Sequence, residues 1–315
     1  MKSCHDAAAR RFLSGRTLLA AVALGMLAAG APSAHSADSA RLIRSPDGVP
    51  ICTFETGNPA GPPILFVHGF SQSYAVFKLQ FQSDLARDFR LLAYDLRGHG
   101  CSGKPWDSRY YTSKRIAADM AAVLSEFKLQ RPLLVGWSYG GYVIMDYVRH
   151  YGDQRIAGAM LVGSNAGLPP PATDAATIER TRAMRETNRN SSPDIAAGMQ
   201  NGHNFVRLMT YKPAPPDMAE IMFATNQMLP AYVRRAMVEL KLQNDDVIVR
   251  LHVPILLLAG DKDLSQPAPL LTAVAARLAH GRLLLVPDAG HAAFIDAPEA
   301  FERELRQFAA SAAPR

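Results

Sequence analysis

The chain has 315 residues, 48% of them hydrophobic and 20% charged, with a formal net charge of +6. That length and balance suit a globular protein with one large α/β domain and an insertion. The positive residues are scattered without a long basic run, which argues against nucleic-acid binding.

The first segment reads differently from the rest. Arg10, Arg11 and Arg16 precede an apolar stretch over residues 17–29, and small residues follow over 31–37. This is the pattern of a secretory signal, expected over residues 1–37 with cleavage at about 34–40. The apolar stretch is shorter than the ~20 residues a spanning helix needs. An uncleaved anchor is the alternative. The mature protein is expected to be exported, periplasmic or extracellular, with no stable membrane insertion. Cleavage removes Cys4 and leaves Cys52 and Cys101. Two separate buried thiols are expected. An even pair in an exported chain makes a disulfide the alternative.

Two strand-like runs, 41–44 and 49–54, flank Ser45-Pro46-Asp47-Gly48, a hairpin signal. A third strand is predicted over 64–67 and a fourth over 91–94, with a helix over 76–87 between them. Ile116, Met120, Val123, Leu124 and Phe127 recur at helical spacing, with Thr112 or Ser113 as cap. Residues 133–135 are the fifth strand and 156–162 the sixth, with a helix over 142–151 between them. Strands alternating with helices demand a parallel sheet covered on both faces.

The alternation stops over residues 166–252, a stretch too long for a plain loop in a compact domain. Helical pieces are expected over 177–187, 193–209, 217–228 and 230–242. This segment is read as a helical cap inserted into a core formed by 41–165 and 253–314. Seven of the twelve methionines fall in it. Methionine packs small helices together, and it also makes adaptable apolar roofs. The packing role is the default expectation. The seventh strand, 253–259, ends in Gly260-Asp261-Lys262-Asp263. The eighth, 283–286, ends in Pro287-Asp288-Ala289-Gly290-His291.

Gly136-Trp137-Ser138-Tyr139-Gly140 lies between a strand and a helix, as a nucleophile elbow does. Ser138 is the candidate nucleophile. A serine hydroxyl attacks poorly until a base takes its proton. His291 is the candidate base, since histidine titrates near neutrality and can return the proton to a leaving group. Asp263 is the candidate acid that fixes the histidine tautomer. Asp261 is its alternative, because either aspartate could be the turn former. His68 is the other histidine that follows a strand, and it is read as a support for its loop. There is no H-E-x-x-H, no C-x-x-C and no G-x-G-x-x-G after the first strand. No metal site and no cofactor are therefore expected.

Five motifs together resemble the α/β-hydrolase superfamily over nearly all of residues 41–314. They are Phe66-Val67-His68-Gly69-Phe70, the run from Tyr94 to Ser102, the elbow, Gly260 to Asp263, and Pro287 to His291. The chain looks most like its serine esterases and cofactor-free haloperoxidase-like perhydrolases. The resemblance implies a mostly parallel eight-stranded sheet with helices on both faces and the helical cap after strand six. It implies an oxyanion hole from the backbone N–H groups of Phe70 and Tyr139, and a structural role for the Asp95-Leu96-Arg97-Gly98 loop. It places strands two and four side by side, within reach of a Cys52–Cys101 bridge. Dehalogenases and epoxide hydrolases of the fold carry aspartate at the elbow, where this chain has Ser138.

The expected activity is hydrolysis of small carboxylic esters through an acyl-enzyme. Lactonase and perhydrolase or haloperoxidase chemistry are the alternatives on the same residues. Peptide hydrolysis would need an acidic site for a free amino terminus, for which Glu179, Glu186 and Glu220 are candidates. A non-catalytic ligand-binding protein on the same fold is the alternative of another class. Oligomeric state is left open.

Overall fold

The computed structural model describes residues 36–168, 194–240 and 243–312. The expected signal, except its last two residues, and the expected helix over 177–187 lie outside them. Eight strands form one sheet: β1 (Ser36–Arg44), β2 (Pro50–Gly57), β3 (Pro63–Val67), β4 (Arg90–Tyr94), β5 (Leu133–Trp137), β6 (Gly158–Val162), β7 (Ile255–Gly260) and β8 (Gly281–Val286). Their order is β1-β2-β4-β3-β5-β6-β7-β8. β1 and β2 pair antiparallel, as do β2 and β4, and all later pairs are parallel.

The central strands are apolar because both faces are covered. Every residue of β5, β6 and β7 is buried, the signature of a parallel sheet between helical layers. Successive residues alternate between two cores. Leu65, Val67 and Leu134 join α1 (Ser113–Glu126) and α2 (Tyr139–Tyr151) on one face. Ile64, Phe66 and Val135 meet Phe301 and Leu305 on the other. Between β6 and β7 lie α3 (Ile195–Met209), α4 (Pro216–Met228) and α5 (Ala231–Val238). α6 (Ala268–Ala275) precedes β8, and α7 (Pro298–Ala312), which carries Phe301 and Leu305, closes the chain. Met209, Met218, Met222 and Met237 are buried in the inserted helices, while Met199 and Met228 are exposed. That distribution favours packing as the main use of methionine here.

Two expectations are corrected. The helix expected over 76–87 is broken into a 3-10 turn (Tyr74–Phe77) and two short helices (Lys78–Phe81 and Leu85–Asp88). Ser83 accounts for the break between the helices. Its hydroxyl donates to Gln80 O at 3.0 Å and accepts from Leu85 N at 3.2 Å, in place of continuous helical bonds.

The second correction concerns Cys52 and Cys101, which form a disulfide rather than two separate thiols. The loop after β4 folds back onto β2, so that Asp95 N donates to Cys52 O at 2.9 Å and Cys52 N to Ser102 Oγ at 2.9 Å. Those bonds bring the cysteine Cα atoms to 5.8 Å, within the range a disulfide spans.

Arg97 is the hub of the same loop. Its buried guanidinium donates twice to Asp119, at 2.6 Å each, once to Asp47 Oδ2 at 2.9 Å and once to Tyr110 O at 2.6 Å. Burial by itself would raise the Asp47 carboxyl. Arg97 and Arg115 outweigh it and hold Asp47 at about 2. The Asp95-Leu96-Arg97-Gly98 motif thus joins the β1–β2 turn, the loop after β4 and helix α1.

Candidate active site

β5 ends at Trp137, and α2 begins at Tyr139. Ser138 alone makes the turn, with φ 52° and ψ −114°. A non-glycine residue held there costs about 1–3 kcal/mol, a strain that clusters at functional sites. The strand–helix crossing is so close that a side chain at Gly140 would collide with the carbonyl of Val67. The half-buried Ser138 stands at the carboxyl end of the parallel strands, where ligands bind open α/β sheets.

His291 and Asp263 meet beside it. His291 Nδ1–H donates to Asp263 Oδ2 at 2.9 Å, and both residues are buried. An ionised carboxylate only accepts, so this bond puts the proton on Nδ1 and leaves the lone pair on Nε2. The other oxygen, Asp263 Oδ1, accepts from Ser265 N at 2.8 Å and Gln266 N at 3.0 Å. Asp261 points elsewhere, to Lys262 Nζ at 2.7 Å on the surface. Of the two aspartates, the structure brings Asp263 to the histidine.

Two contacts join this pair to the elbow. Ser138 N donates to Val162 O at 2.8 Å. The next residue, Gly163, lies so close to the pair that a Cβ there would sit 3.0 Å from His291 Nδ1 and 3.2 Å from Asp263 Oδ2. Trp137 Nε1–H also donates to His291 O at 3.0 Å, which seats the histidine loop against the end of β5.

The loop after β3 is held from below by two neutral histidines. Leu96 N donates to His68 Nε2 at 3.0 Å, and His68 Nδ1–H donates to Gly69 O at 2.7 Å. Ser71 N donates to His99 Nε2 at 3.1 Å. Burial lowers both histidines from their ordinary value. His68 therefore supports its loop, as its position suggested. Because Gly69 O is held on one side, the Phe70 N–H in the same peptide plane faces the other way. Tyr139 N–H opens helix α2 and belongs to the first turn, whose amides have no partner within the helix.

Sequence reasoning missed the residues that fasten the inserted helices to this site. Asp296 accepts from Tyr211 N and Gly290 N at 2.8 Å each and from Lys212 N at 3.1 Å, tying the end of α3 to the histidine loop. Asn226 of α4 donates to Ser71 Oγ at 2.8 Å, and Gln72 donates to Met222 O at 3.0 Å. Gln72 lies two residues past the F-V-H-G-F run, which is the one available hint. Nothing in the sequence marks Asp296 or Asn226. Among the described residues no cluster of His, Cys, Asp and Glu is arranged to hold a metal, and no helix is long and apolar enough to cross a membrane.

Comparison with known proteins agrees with the fold. A solved esterase from Rhodococcus sp. ECU1013 superposes with a TM-score of 0.75 at 29% identity, covering 87% of this chain and all of that one. A bifunctional esterase/perhydrolase from Acinetobacter calcoaceticus is 34% identical over 128 residues, 41% of this chain and 45% of that protein. The mycobacterial protein EphD is 36% identical over 119 residues, and the match spans only 20% of its length. The family model described as alpha/beta hydrolase fold matches residues 62–298. With that match over most of its length, the chain belongs to the α/β-hydrolase fold family.

Proposed function

We propose that this protein hydrolyses carboxylic esters through an acyl-enzyme on Ser138. The observation that carries the reading is the buried His291–Asp263 pair set beside a strained serine at the elbow. Ser138 Oγ attacks the ester carbonyl while its proton passes to His291 Nε2. The C=O electrons move onto oxygen, which the Phe70 and Tyr139 amides stabilise. Collapse expels the alcohol, and it leaves with the proton from His291. Water then gives a proton to the same nitrogen, attacks the acyl carbon and frees the acid, restoring Ser138. Asp263 keeps the imidazole in the required tautomer and offsets its charge.

The esterase structures similar to this chain support the substrate class. The test is turnover of p-nitrophenyl esters from acetate to palmitate by the wild type and by Ser138→Ala. Turnover in the wild type and a loss of about 10⁴-fold or more in the variant are expected. A wild type inert to every ester sinks the reading. The similarity to an esterase/perhydrolase favours one second reading, in which hydrogen peroxide replaces water in the deacylation step. Peracid appearing when peroxide is added to the same assay would establish it, and its absence would remove it.

Residues 1–37 are proposed to export the chain, and the Cys52–Cys101 disulfide fits an oxidising compartment. N-terminal sequencing of the protein recovered outside the cytoplasm tests this. An intact residue 1 there would overturn cleavage.

A further inference from the structure

We propose that Ser164, just past β6, is a positioning residue that aims the Tyr139 amide at the developing oxyanion. The proposal rests on the reading of Ser138 as nucleophile. In a trans peptide the C=O and N–H point in opposite directions within one plane. Whatever grips the Ser138 carbonyl therefore also sets where the Tyr139 N–H points. Ser164 Oγ–H donates to Ser138 O at 2.6 Å, and Gly141 N donates to the same oxygen at 3.0 Å.

The serine has no freedom to do anything else. It is buried, and its hydroxyl also accepts from Ala166 N at 3.1 Å. A hydroxyl has one proton to give, and here that proton is committed to Ser138 O. The chain also makes room for it. A side chain at Gly141 would collide with Ser164 Oγ, so the second glycine after Ser138 serves this contact.

The other candidate oxyanion peptide is built alike. Gly69 O, which shares a plane with the Phe70 N–H, accepts from a side chain, His68 Nδ1 at 2.7 Å, and from the amide three residues on, Gln72 N at 3.3 Å. Ser138 O likewise accepts from a side chain, Ser164, and from the amide three residues on, Gly141. Each peptide is gripped through its carbonyl by two donors, one of them a side chain from outside the turn's own backbone. At the elbow the grip matters more, because the φ of 52° at Ser138 has no support from ordinary backbone preference.

Removing a whole oxyanion donor costs about 10²- to 10³-fold in rate. Without Ser164 the Tyr139 amide stays present, and Gly141 still holds part of the peptide. A loss of about tenfold is therefore expected, in the chemical step and not in ligand binding.

The experiment is labelling of Ser138 by a fluorophosphonate, in the wild type and in Ser164→Ala and Ser164→Cys. Cysteine keeps the side chain's shape but is a weak donor. In this reaction Ser138 Oγ bonds to phosphorus, fluoride leaves with its electron pair, and the serine proton goes to His291. The phosphoryl oxygen takes the oxyanion position. The readouts are the maximal labelling rate and the reversible binding constant. The expected result is a rate about tenfold lower in both variants, with binding within about twofold of wild type. Rates within twofold of wild type in both variants would overturn the proposal. So would weaker binding at an unchanged rate, which would make Ser164 part of the pocket wall. A wild type that labels but hydrolyses no ester defeats the ester reading and leaves this inference tested. A wild type that fails to label defeats the nucleophile and this inference together.

Discussion

Asp263 has both of its carboxylate oxygens committed, one to the His291 ring and the other to two backbone amides. The amides fix the carboxylate, and the carboxylate fixes the ring. Replacing it by asparagine keeps the shape and reverses the logic. The amide NH₂ in place of Oδ2 would donate to His291 Nδ1, forcing the ring proton onto Nε2, where it blocks acceptance of the serine proton. Asp263→Asn is expected to lower kcat by about 10³- to 10⁴-fold with little change in KM. Asp261→Asn is expected to leave kcat within about twofold, because the Asp261 carboxylate sits at the surface with Lys262 and the backbone of Asp288 and Ala289. Steady-state kinetics on both variants check this. An inactive Asp261→Asn beside an active Asp263→Asn would reverse the assignment.

The loop after β3 works only while His68 and His99 are neutral, since each uses Nε2 to accept a backbone N–H. Burial is the main cause lowering both. Asp95 opposes it at His68, whereas the His68 ring, Arg234 and Lys104 reinforce it at His99. In the unfolded chain both titrate at their ordinary value of 6.5. Below that pH the unfolded state binds protons that the folded state refuses, so stability falls with falling pH. The contribution is complete above pH 6.5 and shrinks as pH drops toward the depressed folded values. Each histidine can contribute a slope of up to about 1.4 kcal/mol per pH unit in that window. Urea unfolding between pH 7.5 and pH 5 measures it. His99→Asn keeps an acceptor for Ser71 N and removes one proton from the linkage. Its slope should be smaller by about one proton, and an unchanged slope would show that His99 is not held neutral by the fold.

At the scale of the whole molecule, the parts legible in the sequence are those written in contiguous residues. The elbow, Gly260 to Asp263 and Pro287 to His291 each sit directly behind an apolar strand, so strand order alone carries Ser138, Asp263 and His291 to one edge. The unreadable parts are contacts between distant segments. Asp296 meets Tyr211 across 85 residues, and Asn226 meets Ser71 across 155. The disulfide is of the same kind, because it depends on how the loop after β4 returns to β2.

That loop does not rely on the disulfide alone. Asp95 accepts from Tyr74 N at 2.8 Å and Cys101 N at 2.9 Å, and Ser102 Oγ–H donates to Asp95 O at 2.6 Å. His99, which holds Ser71, lies inside this hydrogen-bonded frame. The disulfide should therefore act mainly on the unfolded chain. Cross-linking residues 49 apart removes loop entropy worth about 4 kcal/mol by the chain-entropy model, and measured effects run to about 2–4 kcal/mol. The double variant Cys52→Ala, Cys101→Ala is expected to lose that much in urea unfolding while keeping kcat within about twofold. A folded double variant with kcat reduced tenfold or more would mean that the bridge, and not the Asp95 frame, holds His99 and the loop above it.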